Sequence, residues 1–220
     1  SHFLNKATLT FSVVILVLSL FFIAGCTHTE KQYYPDGNLL QLSEFKGKEL
    51  HGNTKIYYET GALMQEINYE NGVISGKVLS WYSRGVKKSE EIYVNGKKYG
   101  KCSYWDDMGN LIEQKEFKND ILDGSYQMWF EDGTLKIEGK YKNGQFDGSW
   151  NYYSINGLKI GEGQFLDGKG KLTGFDQLGK KIQETEYSNS QKNGREITYD
   201  GAGNVVNILE YINDKVVANN

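Results

Sequence analysis

The sequence predicts an all-β protein: one elongated, twisted antiparallel sheet built from tandem β-hairpin repeats of about 24 residues. Three observations carry this reading. The 220 residues hold 26 Gly, 16 Tyr, 10 Phe and 4 Trp against a single Pro and two Cys. Glycine punctuates turns and aromatics favour pleated strands, whereas disordered chains are poor in aromatics and rich in Pro. Second, Gly52, Gly76, Gly100, Gly124 and Gly148 stand 24 residues apart, and Gly61, Gly85, Gly109, Gly133 and Gly157 repeat that step nine residues later. Third, Asn71-Gly72, Asn95-Gly96, Asn143-Gly144 and Asp167-Gly168 close successive units. Such dipeptides are strong hairpin signals, because a type I′ turn needs positive φ at both central residues.

The N-terminal segment, residues 1–25, reads as a leader. Phe11 to Ala24 is FSVVILVLSLFFIA, in which only Ser12 and Ser19 are polar, with Lys6 upstream. That run is short of the roughly 20 residues a bilayer-spanning helix needs and suits the core of a signal peptide. Ile23-Ala24-Gly25-Cys26 resembles the lipobox of bacterial lipoproteins: an aliphatic residue, two small residues, then the cysteine that receives lipid. The resemblance implies lipidation at Cys26 and a membrane partner through that anchor, hence a cell-envelope location. Thr27 follows where an inner-membrane retention signal would place Asp, so in a Gram-negative cell the expectation is the outer membrane. Residues 26–30 are expected to be a short tether.

From residue 31 to 220 the chain reads as about eight repeats. The first glycine series continues at Gly170, after a two-residue deletion, and at Gly194; the second extends to Gly37, Gly179 and Gly203. Seventeen residues after each first glycine stands an aromatic: Tyr69, Tyr93, Phe117, Tyr141, Phe165, Tyr187 and Tyr211, with Phe45 at the same place in a truncated first unit. Between the two glycines lies an aromatic pair or singlet, among them Tyr57/Tyr58, Trp81/Tyr82, Tyr104/Trp105, Trp129/Phe130, Tyr152/Tyr153, Phe175 and Tyr199. Turn residues and then an aliphatic follow (Leu63, Val86, Leu111, Leu135, Leu158, Ile182), and the second strand runs to the fixed aromatic. Turns every ten to thirteen residues leave no room for a helical crossover, so sequential strands must pair antiparallel, about sixteen in all. Contacts this local cannot enclose an ordinary globular core; an extended sheet with aromatics stacking from repeat to repeat fits better. The unit from Gly170 to Asn193 and the last unit are expected to form a bend and a cap.

The pattern of glycine, aromatic pair, glycine, leucine, aromatic and Asn-Gly resembles the MORN repeat, and more closely its bacterial variant. Gly124-Ser125-Tyr126-Gln127-Met128-Trp129-Phe130-Glu131-Asp132-Gly133-Thr134-Leu135 is the best-preserved copy. The resemblance implies two-stranded hairpins stacked into an extended sheet and a binding rather than catalytic role. The opening columns depart from the regular Tyr-x-Gly-x-Trp start. Two other repeats share part of the signal. Tyr199-Asp200 and Trp105-Asp106 with their downstream Gly-Asn are similar to bacterial Tyr-Asp repeats, and Gly148-Ser149-Trp150-Asn151-Tyr152-Tyr153 is similar to choline-binding cell-wall repeats. Neither has a 24-residue step.

Little in the chain suggests chemistry. His2, His28 and His51 are the only histidines, and His51 abuts Gly52 in an expected turn. A Ser-His-Asp or Cys-His arrangement, a metal site and a cofactor are therefore not expected. Glu90/Glu91 and Asp106/Asp107 are adjacent pairs on strands, whose side chains point to opposite faces and cannot converge as an acid–base couple. Cys102 is expected as a small buried side chain. A formal net charge of −3 gives no footprint for nucleic acid. The expected function is a non-enzymatic scaffold for a protein or envelope partner, with Trp81, Tyr82, Tyr104, Trp105, Trp129, Phe130, Tyr152 and Tyr153 as the candidate surface. One ring of each adjacent pair should face outward. Alternatives are an antitoxin or immunity-type protein that neutralises a toxin by binding, since some bacterial proteins with this repeat carry that label, and a cell-wall glycan binder. Nothing in the repeat sets an oligomeric state.

Overall fold

The computed structural model describes residues 25–219. The expected leader, residues 1–25, lies outside the described residues except for Gly25. Among the described residues there are seventeen strands and no helix: β1 Thr27–Tyr33, β2 Leu39–Lys46, β3 Glu49–Tyr57, β4 Leu63–Glu70, β5 Val73–Trp81, β6 Lys87–Val94, β7 Lys97–Trp105, β8 Leu111–Lys118, β9 Ile121–Trp129, β10 Leu135–Lys142, β11 Gln145–Tyr153, β12 Lys159–Leu166, β13 Lys169–Phe175, β14 Lys181–Ser188, β15 Gln191–Tyr199, β16 Val205–Ile212 and β17 Lys215–Asn219. Each pairs antiparallel with its successor, giving one open sheet in sequence order. Two expectations change. Residues 27–30 are not a tether, because Thr27 already pairs with Lys46 and begins β1. A seventeenth strand follows the eighth hairpin.

The two long edges of the sheet use different turns. At one edge the residue after each odd-numbered strand up to β15 makes the same pair of bonds. Tyr34 N–H donates to Asn38 O and Gly37 N–H to Tyr34 O, and the pattern recurs from Tyr58, Tyr82, Asp106, Phe130, Ser154, Asp176 and Asp200. The glycine there has φ between 75° and 92°, the left-handed residue that ends a type I turn with a G1 bulge. At the other edge the two-residue turns from Asn71 onward have both φ values positive, as in Asn71 (49°) and Gly72 (78°), whereas in the first, Gly47-Lys48, only the glycine does. Asn119-Asp120, Asn189-Ser190 and Asn213-Asp214 adopt the same geometry without glycine.

The first glycine series has a role different from the one expected. Gly52 is not in a turn but inside β3, where φ of 97° creates a bulge. Ser43 pairs with Thr54 and Phe45 with Leu50, so residues 51–53 face Glu44 alone. The Glu44 carboxylate reaches into the bulge and accepts the Asn53 N–H at 2.9 Å. A Cβ on Gly52 would collide with that carboxylate. Glu116 accepts from Ser125 N–H beside Gly124, and Glu186 from Arg195 N–H beside Gly194, in the same way. β12 and β13 pair without any break in register. The two residues deleted before Gly170 are thus the bulge itself. In every unit the first glycine lies opposite the fixed aromatic of the next strand: Gly52 faces Tyr69, Gly76 Tyr93, Gly100 Phe117, Gly124 Tyr141, Gly148 Phe165, Gly170 Tyr187 and Gly194 Tyr211.

The sheet coils, so that one face turns in on itself. Buried Ser43, Thr54, Ile67, Val78, Ser89, Cys102, Trp150, Phe165, Thr185 and Glu196 all fall on that inner face by strand alternation. Phe146 and Tyr187 lie three strands apart, about 14 Å in a flat sheet, yet their ring centroids are 6.2 Å apart. Phe146 N–H also donates to Ser190 Oγ at 2.8 Å. The core is densest from β9 to β14, where Tyr126, Tyr141, Phe146, Trp150, Phe165 and Tyr187 form a continuous set of ring contacts. Cys102 is fully buried in the same layer.

Candidate binding face

Strand geometry sorts the candidate aromatics into three places. Trp81, Trp105, Trp129 and Tyr153 are each the last residue of an odd-numbered strand, on the outer face. Tyr104 and Tyr152 precede that position and belong to the inner face, while Tyr82 and Phe130 follow it and open the turn. All eight are half-buried. The expectation of one outward ring per adjacent pair therefore concerns Trp81, Trp105, Trp129 and Tyr153. Tyr33, Tyr57, Phe175 and Tyr199 end their strands in the same way, so the outer series is aromatic in all eight hairpins. These four were not among the candidates. Counting five residues on from each first glycine (Gly52 to Tyr57, Gly76 to Trp81, and onwards to Tyr199) finds every member after the first hairpin. Consecutive rings are two strands apart, about 10 Å along the sheet.

Each outer aromatic pairs across the edge with Leu39, Leu63, Lys87, Leu111, Leu135, Lys159, Lys181 or Val205. Where the sequence suggested Val86, Leu158 and Ile182 for this place, it is lysine that stands there. Lys87 Nζ lies 4.8 Å from the centroid of the Trp105 ring, and Lys181 Nζ 4.2 Å from that of Tyr199. The lysines are held by carboxylates: Glu90 bonds both Lys87 and Lys77, and Glu184 bonds Lys181 at 3.1 Å. Glu184 also accepts the Tyr199 hydroxyl at 2.6 Å, as Glu138 accepts that of Tyr153 at 2.7 Å. The hydrogen bonds from Lys77 and Lys87 hold Glu90 below the usual carboxylate range, and those from Tyr199 and Lys181 do the same to Glu184.

The inner-face tyrosines are engaged within the fold. Tyr104 donates to Glu91 Oε1 at 2.7 Å, and burial followed by that hydrogen bond pushes its hydroxyl far above the ordinary tyrosine value. Burial pushes Tyr152 up to about 12. Tyr82 O–H donates to the Trp105 carbonyl at 2.9 Å, and Tyr34 and Tyr58 do likewise to Tyr57 and Trp81.

Among the described residues, grooves open on the sheet at β11–β14 and at β1–β3. The larger, 710 Å³, crosses the outer face of β11–β14 over Ser149, Asn151, Gln164 and Thr173, between Lys159, Glu162, Lys171 and Glu184. The smaller, 460 Å³, lies against β1–β3 beside His28, Phe45 and His51. Among the described residues no group of His, Cys, Asp and Glu is arranged to hold a metal ion.

Residues 29–46, 50–71 and 122–143 match the model of the MORN repeat variant. Three of the hairpin units thus match the MORN repeat variant. In the units at 50–71 and 122–143 the bulge glycine, the fixed inner aromatic and the outer strand-end aromatic are the structural content of the match. No curated protein matches the chain. Among solved structures, a chain of "Crystal Structure of TcdB2-TccC3-Cdc42" matches over 85% of this chain and 12% of its own length, at 12% identity and a TM-score of 0.23.

Proposed function

We propose that this MORN-variant chain is a non-catalytic binding scaffold, held at a membrane by lipid on Cys26, whose outer aromatic series engages a protein or envelope ligand. The observation that carries this reading is the series Tyr33, Tyr57, Trp81, Trp105, Trp129, Tyr153, Phe175 and Tyr199, aromatic in every hairpin on the face that does not form the core. Half-exposed aromatics at a regular spacing on a rigid sheet are anchors of the kind that dominate interfaces. In support of the anchor, the Cys26 thiol is exposed at the head of β1.

The test is capture of partners from envelope extract by the full chain, set beside a Trp81→Ala/Trp105→Ala/Trp129→Ala variant. The expected result is a defined partner retained by the first and lost by the second; equal recovery would sink the aromatic-face reading. Metabolic labelling with a palmitate analogue checks the anchor, and a Cys26→Ala chain that still takes up label would refute it.

A further inference from the structure

The groove across β11–β14 carries charges that the protein itself has neutralised. It is lined by two lysines and two glutamates, Lys159, Lys171, Glu162 and Glu184. Lys159 pairs with Glu162 at 3.2 Å, Lys171 with Glu186 at 3.3 Å, and Glu184 with Lys181 at 3.1 Å. Each of the four charges lining the groove already has an opposite partner, so the groove is poorly suited to an ionic ligand. What the groove offers are neutral hydrogen-bonding groups. Gln164 donates to Ser149 Oγ at 2.6 Å and keeps its amide oxygen as an acceptor. Asn151 donates to Glu138 at 3.2 Å and likewise keeps an acceptor. Thr173 adds a hydroxyl to the lining.

The aromatic series borders this groove on the same face. Tyr153 pairs with Lys159, Phe175 stands two residues beyond Thr173, and Tyr199 bonds Glu184. The backbone positions that carry successive rings are two strands, about 10 Å, apart, close to the length of one disaccharide in a β-1,4-linked glycan. An open sheet face with an aromatic ending each odd-numbered strand, neutral amides and hydroxyls, and paired charges suits a sugar chain. It presents hydroxyls in its plane, C–H surface above and below it, and no charge of its own.

Resting on the scaffold reading above, we propose that the ligand is an uncharged β-1,4-linked glycan, lying along the outer face of β11–β14 with sugar rings against Tyr153 and Phe175. The probe is a hexamer of β-1,4-linked N-acetylglucosamine, titrated calorimetrically into the detergent-solubilised full chain, with an α-1,6-linked glucan as control. The hexamer should bind and the control should not. Tyr153→Ala/Phe175→Ala should weaken binding about tenfold or more, the loss expected of truncated anchors. Thr173→Lys leaves both rings in place but puts an unbalanced charge into the groove, and should weaken binding comparably with an unchanged melting temperature. No binding of the hexamer, equal binding of the control, or full affinity in the Thr173→Lys chain would overturn the proposal. Capture of an envelope partner that still depends on Trp81, Trp105 and Trp129 would then leave the scaffold reading standing with a different ligand.

Discussion

Cys102 and Trp150 occupy the same place in two hairpins, on the inner face two residues past the bulge glycine, yet their surroundings are opposites. Trp150 is buried against Gly139 on one side and pairs with Gly163 on the other. Cys102 pairs with Lys115 and has Glu91 beside it. A large ring sits between two bare backbones in β10–β12, and a small thiol sits between two long charged side chains in β6–β8. The next position inward repeats the contrast. Phe146 packs on Trp150 with ring centroids 4.4 Å apart and the planes tilted by 48°, whereas Lys98 reaches Glu91 at 2.6 Å. A large side chain faces bare backbone in one hairpin and a small one faces long side chains in the other, so the chemistry that fills the interior changes from unit to unit.

The aromatic region should be the more sensitive to truncation. Trp150→Ala leaves a cavity that Gly139 and Gly163 have no side chains to fill, so the loss should be about 3–5 kcal/mol, read from urea unfolding. The Lys140 carbonyl, which accepts the Trp150 indole N–H at 3.1 Å, also loses its partner. A loss under about 1 kcal/mol would mean that the coil collapses freely there and that complementary volume does not govern the interior.

The polar region should respond next, and with a pH signature that the aromatic one lacks. Burial is the largest influence on Glu91 and opposes its ionisation, but hydrogen bonds from Lys98, Tyr104 and Tyr93 outweigh it, and the carboxyl titrates below its ordinary range. A folded-state value below the unfolded one contributes stability above roughly pH 4.3, and that contribution is lost as pH falls through the folded value. Glu91→Ala should cost about 2–3 kcal/mol at neutral pH, less than the 3–5 of a fully buried pair, since Lys98 keeps part of its contact with water. It should also flatten the acid limb of the stability curve. Glu91→Leu/Lys98→Leu, which borrows the aliphatic found at Leu50, Ile74 and Leu122, should recover most of that loss. Failure of the double variant to recover would show that the pair specifies this part of the coil.

Most of the fold was legible in the sequence because backbone conformation leaves residue-level marks. Asn71-Gly72 and Gly61 reveal positive φ directly. The bulge at Gly52 was not legible as such: an isolated glycine reads as a turn, and only its partner Glu44, nine residues ahead of the amide it caps, tells otherwise. The outer aromatic series was partly hidden for another reason. Tyr104/Trp105 and Trp81/Tyr82 look alike as dipeptides, yet they straddle different positions; the count from Gly76 and Gly100 separates them, and the register of Trp81 with Lys87 and Trp105 with Leu111 shows why it matters. Charge balance in the β11–β14 groove depends on contacts between strands and leaves no local pattern.

Substitution at the bulges sharpens the contrast between hairpins at smaller cost. Gly124 has φ of 123° and its added Cβ would strike Glu116, whereas Gly100, φ 79°, has open space. Gly124→Ala should therefore cost about 2 kcal/mol, from left-handed strain plus loss of the Glu116 cap, and Gly100→Ala about 1. Equal effects on thermal unfolding would show that the carboxylate cap contributes nothing.

The smallest expected effect separates the two halves of the turn edge. In the N-terminal half the residue opening the turn is Tyr34, Tyr58 or Tyr82, and its hydroxyl ties to the carbonyl of a strand-end aromatic one repeat on. Asp106, Asp176 and Asp200 hold that place further on and bond instead to the backbone of their own turns, as Asp106 does to Met108 and Asn110. The first three turns are stitched between repeats, whereas the aspartates satisfy their own turns. Tyr82→Phe should cost about 1 kcal/mol, the worth of one hydrogen bond, because the Trp105 carbonyl loses a partner in the neighbouring hairpin. Amide exchange should quicken on both sides of that tie, around residues 82–86 and 105–110. Asp200→Ala should quicken only its own turn, residues 200–204. If the two variants loosen equally narrow stretches, the hydroxyl ties carry no coupling between repeats, and nearest-neighbour pairing of the strands alone sets the cooperativity of the array.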